Sequence, residues 1–262
     1  MASHCSDMGF DFKDVAELID FAKNIYIKGK DIPLKNGAYR LVTIDKRIEF
    51  WIQFDKPKFF QSPKFLDLEF HYSSDNFIPI AFDRWIEPLQ NLSGKAIVWY
   101  LQDDKEVFPI VVNIPNAAQY YNKLKKGEKL KMQVSCFCEE LVLFATSEEF
   151  YDDQKERNAK NNTEATFADE SFIPSGMFGN NDNPEPTAIF NGRITAYERR
   201  INSYADNDYY YITVECQGTT FDVLADPDLV AEDPKIGGIL HGSFWLSGKF
   251  KKLFIKQGKL KD

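Results

Sequence analysis

Apolar and polar positions alternate with a period of two over most of this chain, and with a helical period in only a few places. In residues 237–250, GGILHGSFWLSGKF, the alternation places Leu240, Gly242, Phe244, Leu246, Gly248 and Phe250 on one strand face. Ile239, His241, Ser243, Trp245, Ser247 and Lys249 take the other. The first face is apolar throughout, and its two glycines read as a bulge or tight bend where another backbone comes close. Trp245 is the one side chain of the second face large enough to invite a partner.

The same pattern predicts a hairpin from 38–44 and 47–54, turning at Asp45-Lys46, with Ile48, Phe50, Ile52 and Phe54 on one face and Glu49, Trp51 and Gln53 on the other. A strand is expected at 65–72. A second pair, 95–102 and 106–114, turns at Asp103-Asp104, with Pro109 confining its strand to an edge or a bulge. KLKMQVSCFC and LVLFAT read as two strands separated by Glu139-Glu140. Five more strands are expected at 188–200, 208–216, 219–226, 237–250 and 252–256, with a tight turn at Gln217-Gly218 and a helical turn within DPDLVAED.

Helical periodicity is clearest at 14–27, where Val15, Leu18, Ile19, Ala22, Ile25 and Tyr26 share a face. Asp14 and Glu17 form a capping box, and Gly29 marks the stop. Two further helices are expected, a short one near 116–126 and one starting at the capping residue Ser147. From 158 to 186 the periodicity disappears and Asn, Pro, Gly and Ser accumulate. Phe167, Phe172, Ile173, Met177 and Phe178 in that stretch argue that part of it packs on a folded surface.

These elements predict an α+β protein of mostly antiparallel strands. Residues 1–157 form an amino-terminal helix and hairpin domain, 158–186 a linker or ordered loop, and 187–262 a small five-stranded barrel of the OB type. No internal repeat is visible in the sequence.

Composition sharpens this picture. The 262 residues are 44% apolar and 15% aromatic, enough to fill well-packed cores, and the net charge of −8 repels phosphate backbones and anionic lipid. Nucleic acid is therefore disfavoured as a partner. Cys136 and Cys138 are too close for an ordinary disulfide and lack a second pair for zinc. All four cysteines, with Cys5 and Cys216, read as reduced and buried. The opening MASHCSDMGFDFKD has no basic region followed by an apolar one, and no window approaches a membrane span, so a soluble cytoplasmic protein is expected.

The runs ESFIPSGMF, FDVLADPDLV and GGILHGSFWLSGKF, with Met8-Gly9-Phe10 before the first helix, resemble a group of bacterial proteins of unassigned function. The resemblance spans most of the chain and implies a bacterial origin and a two-part layout. It carries no activity, ligand or catalytic residue.

Candidate chemistry is sparse. Asp222, Asp226, Asp228, Glu232 and Asp233, with His241, offer oxygen and imidazole groups for a divalent ion or a hydrolytic reaction, but Asp-Pro-Asp reads equally as a capped turn and no ligand-loop spacing is present. Phosphate-binding glycine motifs and the nucleophile elbow are absent. No catalytic residue, metal ligand or cofactor is assigned. The expectation is a non-catalytic binding protein for an unknown protein or small ligand, using Trp245, Tyr209, Tyr211 and His241 on the barrel with Phe172 and Phe178 on the connector. The alternatives are an enzyme built on Asp222, Asp226, Asp228 and His241, and a weak single-strand binder stacking bases on the tyrosines.

Overall fold

The computed structural model describes residues 4–56, 62–164, 166–178 and 183–251. The described residues are dominated by strands. In chain order they are α1 (Val15–Ile25), β1 (Lys30–Leu34), β2 (Gly37–Ile44), β3 (Ile48–Asp55), β4 (Phe65–Tyr72), β5 (Ile78–Gln90), β6 (Ser93–Gln102), β7 (Lys105–Ile114), β8 (Lys129–Phe144), α2 (Ser147–Asn161), β9 (Ser171–Ile173), β10 (Thr187–Asn202), β11 (Asn207–Cys216), β12 (Thr219–Ala225) and β13 (Ile239–Phe250).

Local chemistry accounts for most boundaries. The Asp14 side chain accepts the Glu17 N–H at 2.9 Å while Glu17 accepts that of Lys13, which starts α1 and buries Leu18, Phe21, Ala22 and Ile25. The three hairpin turns expected from the sequence hold both central residues at positive φ: Asp45 and Lys46 at 51° and 60°, Asp103 and Asp104 at 49° and 65°, Gln217 and Gly218 at 52° and 74°. That geometry matches the right-handed twist of the flanking strands. Four expectations need correction. Thr146, not Ser147, caps α2, its hydroxyl accepting the Glu149 N–H. Residues 129–144 form one sixteen-residue strand, because Glu139 and Glu140 are solvent-facing strand residues rather than a turn. The helix near 116–126 reduces to a single 3-10 turn at Ala117–Gln119. β5 lies where no strand is legible, across Pro79 and Pro88. The expected strand at 252–256 lies outside the described residues.

Strands β1 to β4 form an antiparallel sheet in that order, and the other nine form a mixed sheet. Within the mixed sheet the pairings run in two circuits. β10 pairs with β11, β11 with β12, β12 with β8 in parallel, β8 with β13, and β13 with β10. Likewise β5 pairs with β6, β6 with β7, β7 with β13 in parallel at Asn113 and Ser247, β13 with β8, and β8 with β5. The long β8–β13 pair belongs to both. Strand order thus repeats, β5-β6-β7-β8 matching β10-β11-β12-β13, and each half closes its circuit with the other half's last strand. The connector between them is partly ordered: β9 pairs with β10, and Met177 packs on Ile86, Ile97 and Val111.

Alternation along the shared pair sets the layers. Leu130, Met132, Val134, Cys136 and Cys138 of β8, with Leu240, Phe244, Leu246 and Phe250 of β13, line one continuous core. Gly242 sits beside the β-bulge at Ser243/Phe244, where a Cβ would lie 2.4 Å from the Glu140 carbonyl oxygen. On the opposite face, Ser135 and Ser247, partners in register, donate to the carbonyls of Tyr72 at 2.7 Å and Phe70 at 3.2 Å. These carbonyls lie on β4, the edge of the four-stranded sheet, so serine hydroxyls satisfy an edge that would otherwise be unpaired. That edge-on docking places the four-stranded sheet against the shared strands.

Candidate functional site

The polar face of β3 and β4 meets the outer face of the shared pair, and the two diverge toward β1 to leave a cleft of 520 Å³. One wall carries Ile32, Leu41 and Trp51 of the four-stranded sheet. The other carries Phe77, Tyr120 and Phe250. Glu49 and Lys249 meet at the base, 2.6 Å apart and with only 10% and 18% of their side chains exposed. Each has a second partner, the Trp51 indole N–H donating to Glu49 at 3.0 Å and Lys249 donating to Ser73 Oγ at 3.0 Å. A buried pair of this kind is held by its additional hydrogen bonds as much as by its charge. Asn116 and Gln133 also line the cleft, and each has a buried side-chain oxygen without a hydrogen-bond partner.

Behind the base lies a closed polar layer. His71 is fully buried, with Nδ1 3.0 Å from Ser247 Oγ. Because that serine gives its hydrogen to the Phe70 carbonyl, Nδ1 carries the imidazole proton. Burial, then the Lys249 ammonium, hold His71 neutral, well below its usual range. Glu69 accepts from Ser93 and from Asn113 at 2.9 Å; burial pushes its carboxyl to about 7, with Asp67 adding and the two donors opposing.

The six residues expected to form one binding surface are dispersed. Trp245 is half-buried and packs on Phe70, Phe137 and the His4 ring, centroids 5.4 Å apart for the last, so its partner is the chain's own amino-terminal segment. Tyr209 is buried in the core beneath the four-stranded sheet. Tyr211 donates to Asp222 at 2.8 Å and lies under the Arg200 guanidinium. His241 faces Asn191 and the Phe167 ring beside α2. Phe172 stacks on Phe108, Phe190 and Phe221, while Phe178 is 71% exposed.

The acidic constellation is dispersed too. Asp222 is buried between Ser74 and Tyr211, whereas Asp226 caps the 3-10 turn at Pro227–Leu229 by accepting the Asp228 N–H. His241 belongs to a third group of contacts. Among the described residues, no three His, Cys, Asp or Glu side chains are placed to hold one metal ion. None of the four cysteines is in a disulfide and all are buried, and burial raises every one of their thiols, Cys5 and Cys216 to about 12. Such thiols are poor nucleophiles.

Sequence reading places Glu49, Trp51 and Gln53 on one face but not Lys249, Gln133 or Tyr120 opposite them. The available signal was a lysine at the end of a core strand, facing away from the apolar side. Among the described residues, no helix is long and apolar enough to cross a membrane. No family model matches the chain, and no curated protein or solved structure matches it.

Proposed function

We propose that this chain is a non-catalytic binding protein whose ligand enters the cleft between the four-stranded sheet and the β8–β13 pair. The observation that carries this reading is the cleft's construction: aromatic rings of Trp51, Phe77 and Tyr120 around a Glu49–Lys249 ion pair in a space of 520 Å³. Concave sites with apolar walls and a few convergent polar groups are where small ligands bind. Lys30, Lys249 and Lys251 outnumber Asp31 and Glu49 among the lining residues, favouring a ligand with a flat apolar face and an acidic group. We also read the two strand circuits as OB-like barrels fused through their common strands, a reading supported by the five strands that each circuit joins.

The test is a fluorescence titration with 8-anilinonaphthalene-1-sulfonate, a flat apolar anion. One saturable site is expected, weakened at least tenfold by Ile32→Trp, which fills the cleft from its exposed wall. Equal binding to the variant would refute the assignment.

A further inference from the structure

A second pocket, of 400 Å³, is lined by His4, Asp7, Cys138, Glu139, Asp228 and Leu229. Its floor is chemically unfinished. Asp7 is only 1% exposed; its Oδ1 accepts the Asp226 N–H at 3.0 Å, but Oδ2 has no hydrogen-bond partner. His4, 9% exposed, faces that oxygen with Nδ1 at 3.6 Å, too far for a hydrogen bond, and Nδ1 is likewise without a partner. Glu139 and Asp228 are exposed at the rim. Buried polar atoms left unpaired cost free energy, and these two belong to residues that line the same pocket.

We propose that this pocket binds a primary ammonium group, as on an alkylamine or a lysine side chain. An ammonium has three donors and a positive charge, and it can serve Asp7 Oδ2 and the His4 Nδ1 lone pair together while the rim carboxylates attract it. Leu229, exposed at the rim, supplies apolar contact for the alkyl stem. A bare metal ion fits less well, because no three ligating side chains converge among the described residues. Burial, with the Asp226 and Glu139 carboxylates adding, pushes Asp7 to about 8, against the Asp226 and Cys138 backbone N–H groups. Burial likewise takes His4 down to about 4, leaving its imidazole neutral. Near neutral pH the incoming ammonium therefore displaces a proton from the Asp7 carboxyl to solvent.

Calorimetric titration of the full chain with butylamine at pH 7 tests this. Saturable binding is expected, with a heat that depends on the buffer's ionisation enthalpy because a proton is released. Tetramethylammonium, which has the charge but no N–H, should bind at least tenfold more weakly. Asp7→Asn, which keeps the shape of the protonated carboxyl, should weaken butylamine at least tenfold, and Glu139→Gln at the exposed rim should weaken it severalfold. No butylamine binding, equal binding of tetramethylammonium, or equal binding by a folded Asp7→Asn protein and by Glu139→Gln would overturn the proposal.

Discussion

At Gly242 a Cβ would lie 2.4 Å from the Glu140 carbonyl oxygen and 2.6 Å from the Phe244 ring, whereas at Gly248 its nearest neighbour is the tip of Ile114 at 2.9 Å. Backbone cannot yield as a side-chain end can, so Gly242→Ala should cost more than Gly248→Ala, about 3 against about 1 kcal/mol on the scale of overpacked cores, measured by urea denaturation. Titration is decided residue by residue as well. Asp7 moves from 3.8 to about 8 and Glu69 from 4.5 to about 7, so both bind their protons more tightly in the folded chain. Each stabilises the fold at low pH and loses that contribution as pH rises through its shifted value. His4, lowered from 6.5 to about 4, acts in the opposite sense between those values. Above pH 6.5 the carboxyls therefore dominate among these three groups. The urea midpoint should fall from pH 6.5 to 8.5, and Asp7→Asn combined with Glu69→Gln should flatten that fall. The alternation of β13 was legible because glycine and apolar residues mark the core face unambiguously. The fate of Trp245 was not, since its cover comes from His4, more than two hundred residues away in sequence.

Among the elements, the hairpins show how closely turn chemistry follows the chain. Lys46 holds a φ of 60° that glycine adopts without penalty, so Lys46→Gly should raise stability by roughly 0.5–1 kcal/mol in the same assay. The edge of β4 makes the reverse case. Ser135→Ala and Ser247→Ala each remove a hydroxyl that satisfies a carbonyl of that strand. Each should cost about 1–3 kcal/mol, the range for a buried group left unpaired. Hairpins were readable because their information is local: two β-rich runs and a turn between them. In the sequence alone Glu139-Glu140, two adjacent charges, imitates a turn, and only the pairing with β13 makes β8 one strand. β5 is illegible for a related reason, since its prolines argue against a strand that long-range pairing nonetheless forms.

For the molecule as a whole, the decisive feature is that β8 and β13 each serve both circuits. Residues 187–262 contribute β10 to β13 but not β8, so the sheet runs through the connector and across the boundaries drawn from composition. Unfolding should accordingly be a single transition, with fluorescence and far-ultraviolet dichroism superimposing; two separated transitions would mean that the halves are independent. The repeat escaped sequence inspection because it is a repeat of strand order, carried by long-range pairing rather than by matching residues. The cleft was half legible, its sheet wall present in the Glu49-Trp51-Gln53 face and its opposite wall supplied by long-range packing. Where small molecules settle on this protein tests the binding account most directly. Crystals soaked with a set of aromatic carboxylates should show density between Trp51 and Tyr120, with the carboxylate toward Lys249. Ligands that consistently occupy other surfaces, with the cleft left to solvent, would contradict it.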